Sequence, residues 1–243
     1  MMLKLKQIEK NFGGVRALDR CSLDIQEGKI TAIIGPNGSG KTTLFNVISQ
    51  LVDEDSGRLF ISGKEITNLK DYEVSRMGVS RTFQEVRLFR NLTIKEHFDI
   101  AMSNSDEKLV RGLFKKEPDR THEIKKMLEL VGLEKPLTTY GADLSYGQRK
   151  LLDLAVALAK PHSILLLDEP VAGVNPQLRK RIKEIIRKIN KKGETIMLIE
   201  HDMNFVMDLA DYIFVMDEGK IIAHGKPKAI QKNRKVLDAY LGD

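Results

Sequence analysis

The sequence predicts an α/β fold with a mostly parallel sheet, antiparallel strands near the N-terminus and a helical lobe inserted in the middle. Three observations carry that expectation. A short apolar run at residues 31–34 ends in a glycine-rich loop and is followed by a helical pattern over residues 42–51. Strand-like runs return at residues 164–167, 195–199 and 212–216, separated by helical stretches, which is the alternation that builds parallel sheets. Between Thr93 and Ala159 the apolar period is helical instead.

Each element follows from its own pattern. Leu3-Lys4-Leu5 and Leu23-Asp24-Ile25 alternate apolar and polar residues, as half-buried strands do. Leu44, Val47, Ile48 and Leu51 share one face of the helix after the glycine loop, and Ser62-Gly63-Lys64 marks a hairpin. Ile124, Met127, Leu128 and Val131 set a helix within the lobe, which a polar stretch at residues 103–120 interrupts. The densest basic stretch, residues 179–192, places its Lys and Arg around Ile182, Ile185, Ile186 and Ile189, the signature of one helix with a solvated face. A single domain is expected over residues 1–243, with a core of about 1–90 and 160–243 and a helical subdomain of about 91–159.

Bulk properties narrow the function classes. The chain has 243 residues, enough to bury a core without disulfide staples, and its one cysteine, Cys21, excludes an internal disulfide. That cysteine count and the absence of an apolar leader pattern fit a reducing cytosol. No run approaches the ~18 apolar residues of a membrane span, so no transmembrane segment is expected. Formal net charge is +6. No aromatic residues interleave with the basic stretch as a base-stacking surface requires, so nucleic acid is not an expected partner.

Chemistry concentrates in five places. Gly35-Pro36-Asn37-Gly38-Ser39-Gly40-Lys41-Thr42, with Thr43 behind it, is a complete P-loop. Backbone amides of such a loop cradle phosphates, the lysine neutralises the β- and γ-phosphates, and the threonine hydroxyl ligates Mg²⁺. Ile164 to Leu167 form a buried strand that ends on Asp168, a carboxylate aimed at the metal. Glu169 follows with a different side-chain direction, suited to an attacking water as general base. Gln84 and His201 each come just after a strand-like segment. Leu144-Ser145-Tyr146-Gly147-Gln148 opens a helix through Leu151, Leu154 and Leu158, and a helix N-terminus attracts anions.

Taken in order, these motifs resemble the ATP-binding cassette (ABC) ATPases over essentially the whole chain. The resemblance implies a P-loop NTPase (RecA-like) core that hydrolyses ATP with Mg²⁺. It makes residues 38–43 and Lys41 phosphate ligands and places Thr42, Gln84 and Asp168 around the metal. It gives Glu169 the water and His201 the γ-phosphate, and makes Phe12 the aromatic that stacks on adenine, with a core phenylalanine as the alternative. It also implies a head-to-tail dimer with a second cassette, identical or homologous, in which Ser145, Gly147 and Gln148 of one protomer meet the nucleotide held by the other. Two departures stand out: Tyr146 replaces the first glycine of the usual signature, adding bulk where the partner's phosphate approaches, and Asn175 stands where many members have Asp.

Residues 169–176, Arg81-Thr82-Phe83-Gln84 and Ala239-Tyr240-Leu241-Gly242 resemble the ATP-binding subunits of branched-chain amino acid importers; urea importers and the lipopolysaccharide-export ATPase are similar in the same places. That resemblance implies integral membrane permease partners, indirectly an extracytoplasmic solute-binding protein, and a peripheral position on the cytoplasmic face of the membrane. Residues 85–92, with Val86, Leu88 and Phe89 amid charges, form a candidate docking surface for a permease helix. A soluble ABC-type ATPase acting on nucleic acid or ribosomes fits less well, since the chain has neither a long coiled coil before Ser145 nor a second cassette. Asn190-Lys191-Lys192-Gly193 lacks the aspartate that guanine reading requires.

Overall fold

The computed structural model describes residues 1–86, 88–102 and 119–241. In chain order the N-terminal half runs β1 (Leu3–Phe12), β2 (Val15–Ile25), β3 (Ile30–Ile34), α1 (Lys41–Ile48), β4 (Ser56–Ile61), β5 (Lys64–Glu65), α2 (Asp71–Arg76) and β6 (Val79–Arg81). The remainder runs α3 (Ile94–Met102), α4 (Thr121–Val131), α5 (Tyr146–Ala159), β7 (Ile164–Asp168), α6 (Pro176–Asn190), β8 (Thr195–Ile199), α7 (Met203–Leu209), β9 (Tyr212–Asp217), β10 (Lys220–Gly225), α8 (Pro227–Ile230) and α9 (Arg234–Leu241).

Two sheets form. The first is antiparallel, in the order β2-β1-β4-β5, and the second runs β10-β9-β3-β8-β7-β6, with every pair parallel except the β10–β9 edge. All five residues of β3, β7 and β8 are buried, so these strands read as continuous apolar runs. Successive residues serve opposite faces. Leu165 and Leu167 pack into one core with α3, α4, α5 and α6, while Ile164 and Leu166 join a second core with α1 and the antiparallel sheet.

Strands β1 and β2 are much longer than their alternating ends suggested. Register shifts between Leu5 and Ile8, with Gln7 at φ 51°, break the two-residue period and hide the rest of the strand. Helix α1 stops at Ile48, short of the expected Leu51, and Gln50 then takes φ 52°, outside the helical region. Most of the polar stretch at residues 103–120 lies outside the described residues, as does Gly242. Among the described residues no helix is long and apolar enough to cross a membrane.

The basic stretch is helix α6, with Ile182, Ile185, Ile186 and Ile189 buried. Several of its cations are answered locally: Arg179 pairs with Asp202, Lys183 with Asp208, and Arg187 meets Asp208 at 2.9 Å. Truncating the buried stripe is therefore expected to cost far more than truncating the charged face. Ile186→Ala should lose about 2–5 kcal/mol of unfolding free energy and Lys188→Ala under about 0.5 kcal/mol, both measured by urea denaturation; equal losses would contradict this assignment of faces.

Candidate nucleotide site

The site is built on the carboxyl ends of neighbouring parallel strands. From β3 the chain enters the glycine loop under tight steric control. A Cβ on Gly35 would sit 2.0 Å from the Met216 carbonyl oxygen, and one on Gly40, at φ 98°, would sit 2.4 Å from that of Ala17. Only glycine fits either place. Pro36 is half-buried, Asn37, Gly38 and Thr42 are exposed, Ser39 is buried and Thr43 is half-buried. The Lys41 ammonium donates to the Gly35 oxygen at 2.9 Å and the Pro36 oxygen at 2.7 Å, and lies 3.3 Å from Ser39 Oγ. Burial lowers its pKa below the ordinary lysine value, and the nearby Glu169 and Asp168 charges oppose that shift.

Asp168 ends β7 and is 1% exposed. Its Oδ2 accepts from Arg81 Nη2 at 2.9 Å, while its buried Oδ1 has no hydrogen-bond partner among the described residues. Glu169 takes φ 47°, a left-handed conformation that a side chain adopts at a cost. Its main chain is secured on both sides: its N–H donates to the Ile199 oxygen at 3.0 Å, and its carbonyl accepts from Lys150 Nζ at 3.2 Å. Its carboxylate gathers two residues singled out in the sequence. Gln84 Nε2 donates to Oε2 at 3.0 Å, and His201 Nδ1 stands 3.4 Å from Oε1. Lys41, Asp168, Glu169, Gln84 and His201 thus converge on one end of the sheet.

The other named residues stand apart from that cluster. Phe12 is 47% exposed at the end of β1, with Lys10 Nζ 5.5 Å above its ring. Ser145 caps α5 in a reciprocal pair: Gln148 N–H donates to Ser145 Oγ at 3.4 Å and Ser145 N–H to Gln148 Oε1 at 3.0 Å. The exposed Ser145 and half-buried Gly147 leave the opening turn of this helix facing outward. Tyr146 turns its bulk sideways. Its hydroxyl donates to the Ala172 oxygen at 3.3 Å and its ring lies beside Gly173. Asn175 caps α6, accepting from Leu178 N–H at 2.8 Å, a duty an aspartate would perform equally.

Three supporting residues escaped the sequence reading. Arg81 pairs with Asp168. Lys150, buried on α5, donates to the carbonyls of both Gln84 and Glu169. Glu200, 1% exposed, accepts from Val171 N–H at 3.0 Å and so fixes the chain just after Glu169. A lysine on the apolar side of α5 and a carboxylate directly after the apolar strand β8 were the available signals.

The donors fit a hard divalent cation. A threonine hydroxyl, a carboxylate with an orphaned oxygen and a carboxamide are all oxygen donors, and such a metal is usually held by one or two protein groups together with substrate phosphates. Among the described residues no cluster of three His, Cys, Asp or Glu forms a cage of its own.

Beside the site lies a groove of about 500 Å³ whose lining includes Tyr72, Phe83, Leu88, Phe89, Ile100 and Asp153. Phe89 and Tyr72 are 60% and 56% exposed, an apolar rim of the sort that marks contact surfaces. His97 fixes that rim, accepting from Phe89 N–H at Nε2 at 3.0 Å and donating from Nδ1 to the Thr93 oxygen at 2.7 Å. Arg87, within the expected docking segment, lies outside the described residues.

Both the sequence and the fold are similar to those of known ATP-binding cassettes. The ABC transporter family model matches residues 18–172, and a branched-chain amino acid ATP-binding cassette transporter model matches residues 220–243. The probable branched-chain amino acid transport ATP-binding protein LivG of Archaeoglobus fulgidus is 37% identical, over 99% of this chain and 95% of its own length. A solved ABC transporter cassette in its ADP conformation superposes with a TM-score of 0.85 at 35% identity, covering 100% of this chain and 99% of that one. A dimeric cassette in a post-hydrolysis state with ADP and Pi gives 0.79 at 27% identity, over 93% and 99% of the two chains.

The groove also yields a pH test. Burial pushes the Asp153 carboxyl up to about 7, against the opposing pull of Lys150. An unfolded aspartate ionises near ~4, so between ~4 and that value the folded protein holds a proton the unfolded chain has lost, and stability falls as pH rises through the window. Asp153→Asn should therefore be more stable than the parent near about pH 8, with the gap closing toward about pH 4 in urea titrations. A gap that widens on acidification would contradict the assignment.

Proposed function

Because this chain belongs to the ABC transporter family of ATP-binding proteins, we propose that it is the ATP-hydrolysing subunit of a branched-chain amino acid importer, seated on the cytoplasmic face beneath integral permease subunits. The observation that carries the catalytic part is the convergence of Glu169 with Gln84 and His201 beside Lys41 and Asp168. Two findings support the solute: the full-length likeness to LivG and the match of residues 220–243 to the branched-chain family model.

The roles follow from the chemistry of the groups. Loop residues 35–40, the first amides of α1 and Lys41 hold the phosphates, and Phe12 offers its exposed ring to adenine. Thr42, Gln84 and Asp168 hold Mg²⁺, which when bound neutralises and aligns the phosphate oxygens. Glu169 orients the attacking water and accepts its proton. Its strained backbone and paired side chain keep the carboxylate in one place without reorganisation during the reaction. His201, exposed on its outer side and in contact with Glu169, reaches the γ-phosphate.

The dimeric solved relative supports a pair of cassettes; in the proposed pair the two lie head to tail, and Ser145, Gly147 and Gln148 of one protomer complete the other's site. In that arrangement the stretch of about 91–159 acts as the helical subdomain, and the groove bordered by Phe89 and Tyr72 receives a permease helix. An extracytoplasmic solute-binding protein delivers the amino acid to the far side of the same complex.

Glu169→Gln keeps the shape and removes the base. Turnover is expected to fall about 10²–10⁴-fold while ATP affinity changes little, and an ATP-dependent dimer should accumulate on size-exclusion chromatography; parental turnover would refute the role. His201→Ala should lower kcat far more than nucleotide affinity, and equal loss of both would refute an action confined to the transition state. Phe89→Asp should bind ATP normally yet fail to co-isolate with permease subunits from solubilised membranes, whereas undiminished recovery would place the docking surface elsewhere.

A further inference from the structure

Three elements meet at one side chain outside the catalytic and nucleotide-binding groups already assigned. Arg81, the last residue of β6, donates from Nη2 to Asp168 Oδ2 at 2.9 Å and from Nη1 to Asn46 Oδ1 and Ser49 Oγ, both at 2.9 Å. Asp168 ends β7, Asn46 lies within α1 and Ser49 is its C-cap. The side chains of Arg81 and Asp168 are only 6% and 2% exposed, so solvent screens this pair little. The guanidinium carbon lies 5.5 Å from the centre of the Phe45 ring and 5.1 Å from that of Phe83, which fixes the plane of the fork.

Position makes the contact more than a staple. Strand β6 is the edge of its sheet and its register ends at Arg81 opposite Leu166, two residues before Asp168. The guanidinium spans that offset and occupies one carboxylate oxygen, leaving Asp168 Oδ1 as the orphan. Asn46 lies one helical turn beyond Thr42 on the same face of α1. A planar fork that holds Asn46 and Asp168 together therefore sets the spacing between the two backbones that carry Thr42 and Asp168. A buried ion pair is weak evidence for a gain in stability, and replacing it with apolar groups is often neutral, so a role in geometry accounts for it better.

We infer that Arg81 is a positioning residue for metal binding: it clamps the Asp168 carboxylate to α1 so that Oδ1 and the Thr42 hydroxyl present a preset pair of oxygens to the cation. This rests on the reading of Asp168 as a metal-facing carboxylate. Lysine cannot replace it, because an ammonium is a point charge without the planar fork that engages the three acceptors together.

The test uses the full-length protein and a fluorescent ATP analogue, titrated once in excess EDTA and once in excess Mg²⁺. The ratio of the two affinities is the gain that the metal confers, and it needs no turnover. Arg81→Lys is expected to cut that gain by about tenfold, the usual scale for groups that orient a metal ligand, while affinity in EDTA stays within about twofold. Asn46→Ala removes one arm of the clamp, spares the buried charge pair and should cut the gain in the same direction by less; it serves if Arg81→Lys does not fold. Asp168→Asn separates the two claims. A gain lost in Asp168→Asn but intact in the other two variants would overturn the inference alone. A gain intact in all three would overturn the reading of Asp168 and the inference with it.

Discussion

The site depends on one constraint, the adjacency and register of parallel strands β3, β8, β7 and β6. Ile33 pairs with Ile199 and Ile199 with Asp168, so one row of the sheet ends level across three strands. Two residues beyond that row lie Gly35 on one side and His201 on the next, and on the third strand Asp168 itself closes the row with Glu169 just after it. Residues distant in sequence therefore become neighbours because their strands are hydrogen-bonded neighbours, and the place where they emerge is the carboxyl edge at which open α/β sheets bind ligands. A slip of one residue in β7 would exchange Leu165 and Leu167 for Leu166 on the helical face and turn Asp168 away. Both cores are close-packed around these side chains, so the slip would misfit them, and the packing of the core and the aim of the carboxylate are linked.

Around this edge the protein carries local strain and burial costs, each answered by a named partner. Glu169 at φ 47° is held through its N–H by β8, through its carbonyl by Lys150 and through its carboxylate by Gln84 and His201. The Lys41 ammonium, on a residue only 7% exposed, rests on the carbonyls of its own loop. Burial raises the pKa of the Glu200 carboxyl, and the Val171 N–H that it accepts counters the shift. Such over-determination is what lets strained groups persist, and it pre-organises the charges before substrate arrives.

How far this was legible in the sequence varies with the kind of signal. Chain-local patterns read well: the buried runs of β3, β7 and β8, the glycine loop, the amphipathic stripe of α6 and the hairpin at Gly63 are all encoded by near neighbours. Signals that a bulge interrupts read poorly, which is why most of β1 and β2 was missed and only their regular ends were seen. Contacts made only in three dimensions left little trace. Nothing near Arg81 announces that it will meet Asp168, 87 positions away, and Lys150 looks like an ordinary helical lysine until its reach to Gln84 and Glu169 is seen. The bulk at Tyr146 was legible, but its direction was not; the ring lies beside Gly173, where a larger residue would crowd it.

The fold thus joins a hydrolytic edge to an exposed apolar groove by way of the same α/β core, and the claim that unites them is that ATP turnover at the first does work through the second. The most direct measurement is uptake of labelled leucine into proteoliposomes that contain this subunit together with the permease subunits isolated with it, their solute-binding protein and ATP on the side of the cassette. The account predicts accumulation that requires both ATP and this subunit and that scales with phosphate release. ATP hydrolysis at normal rates without accumulation of any branched-chain amino acid would contradict it.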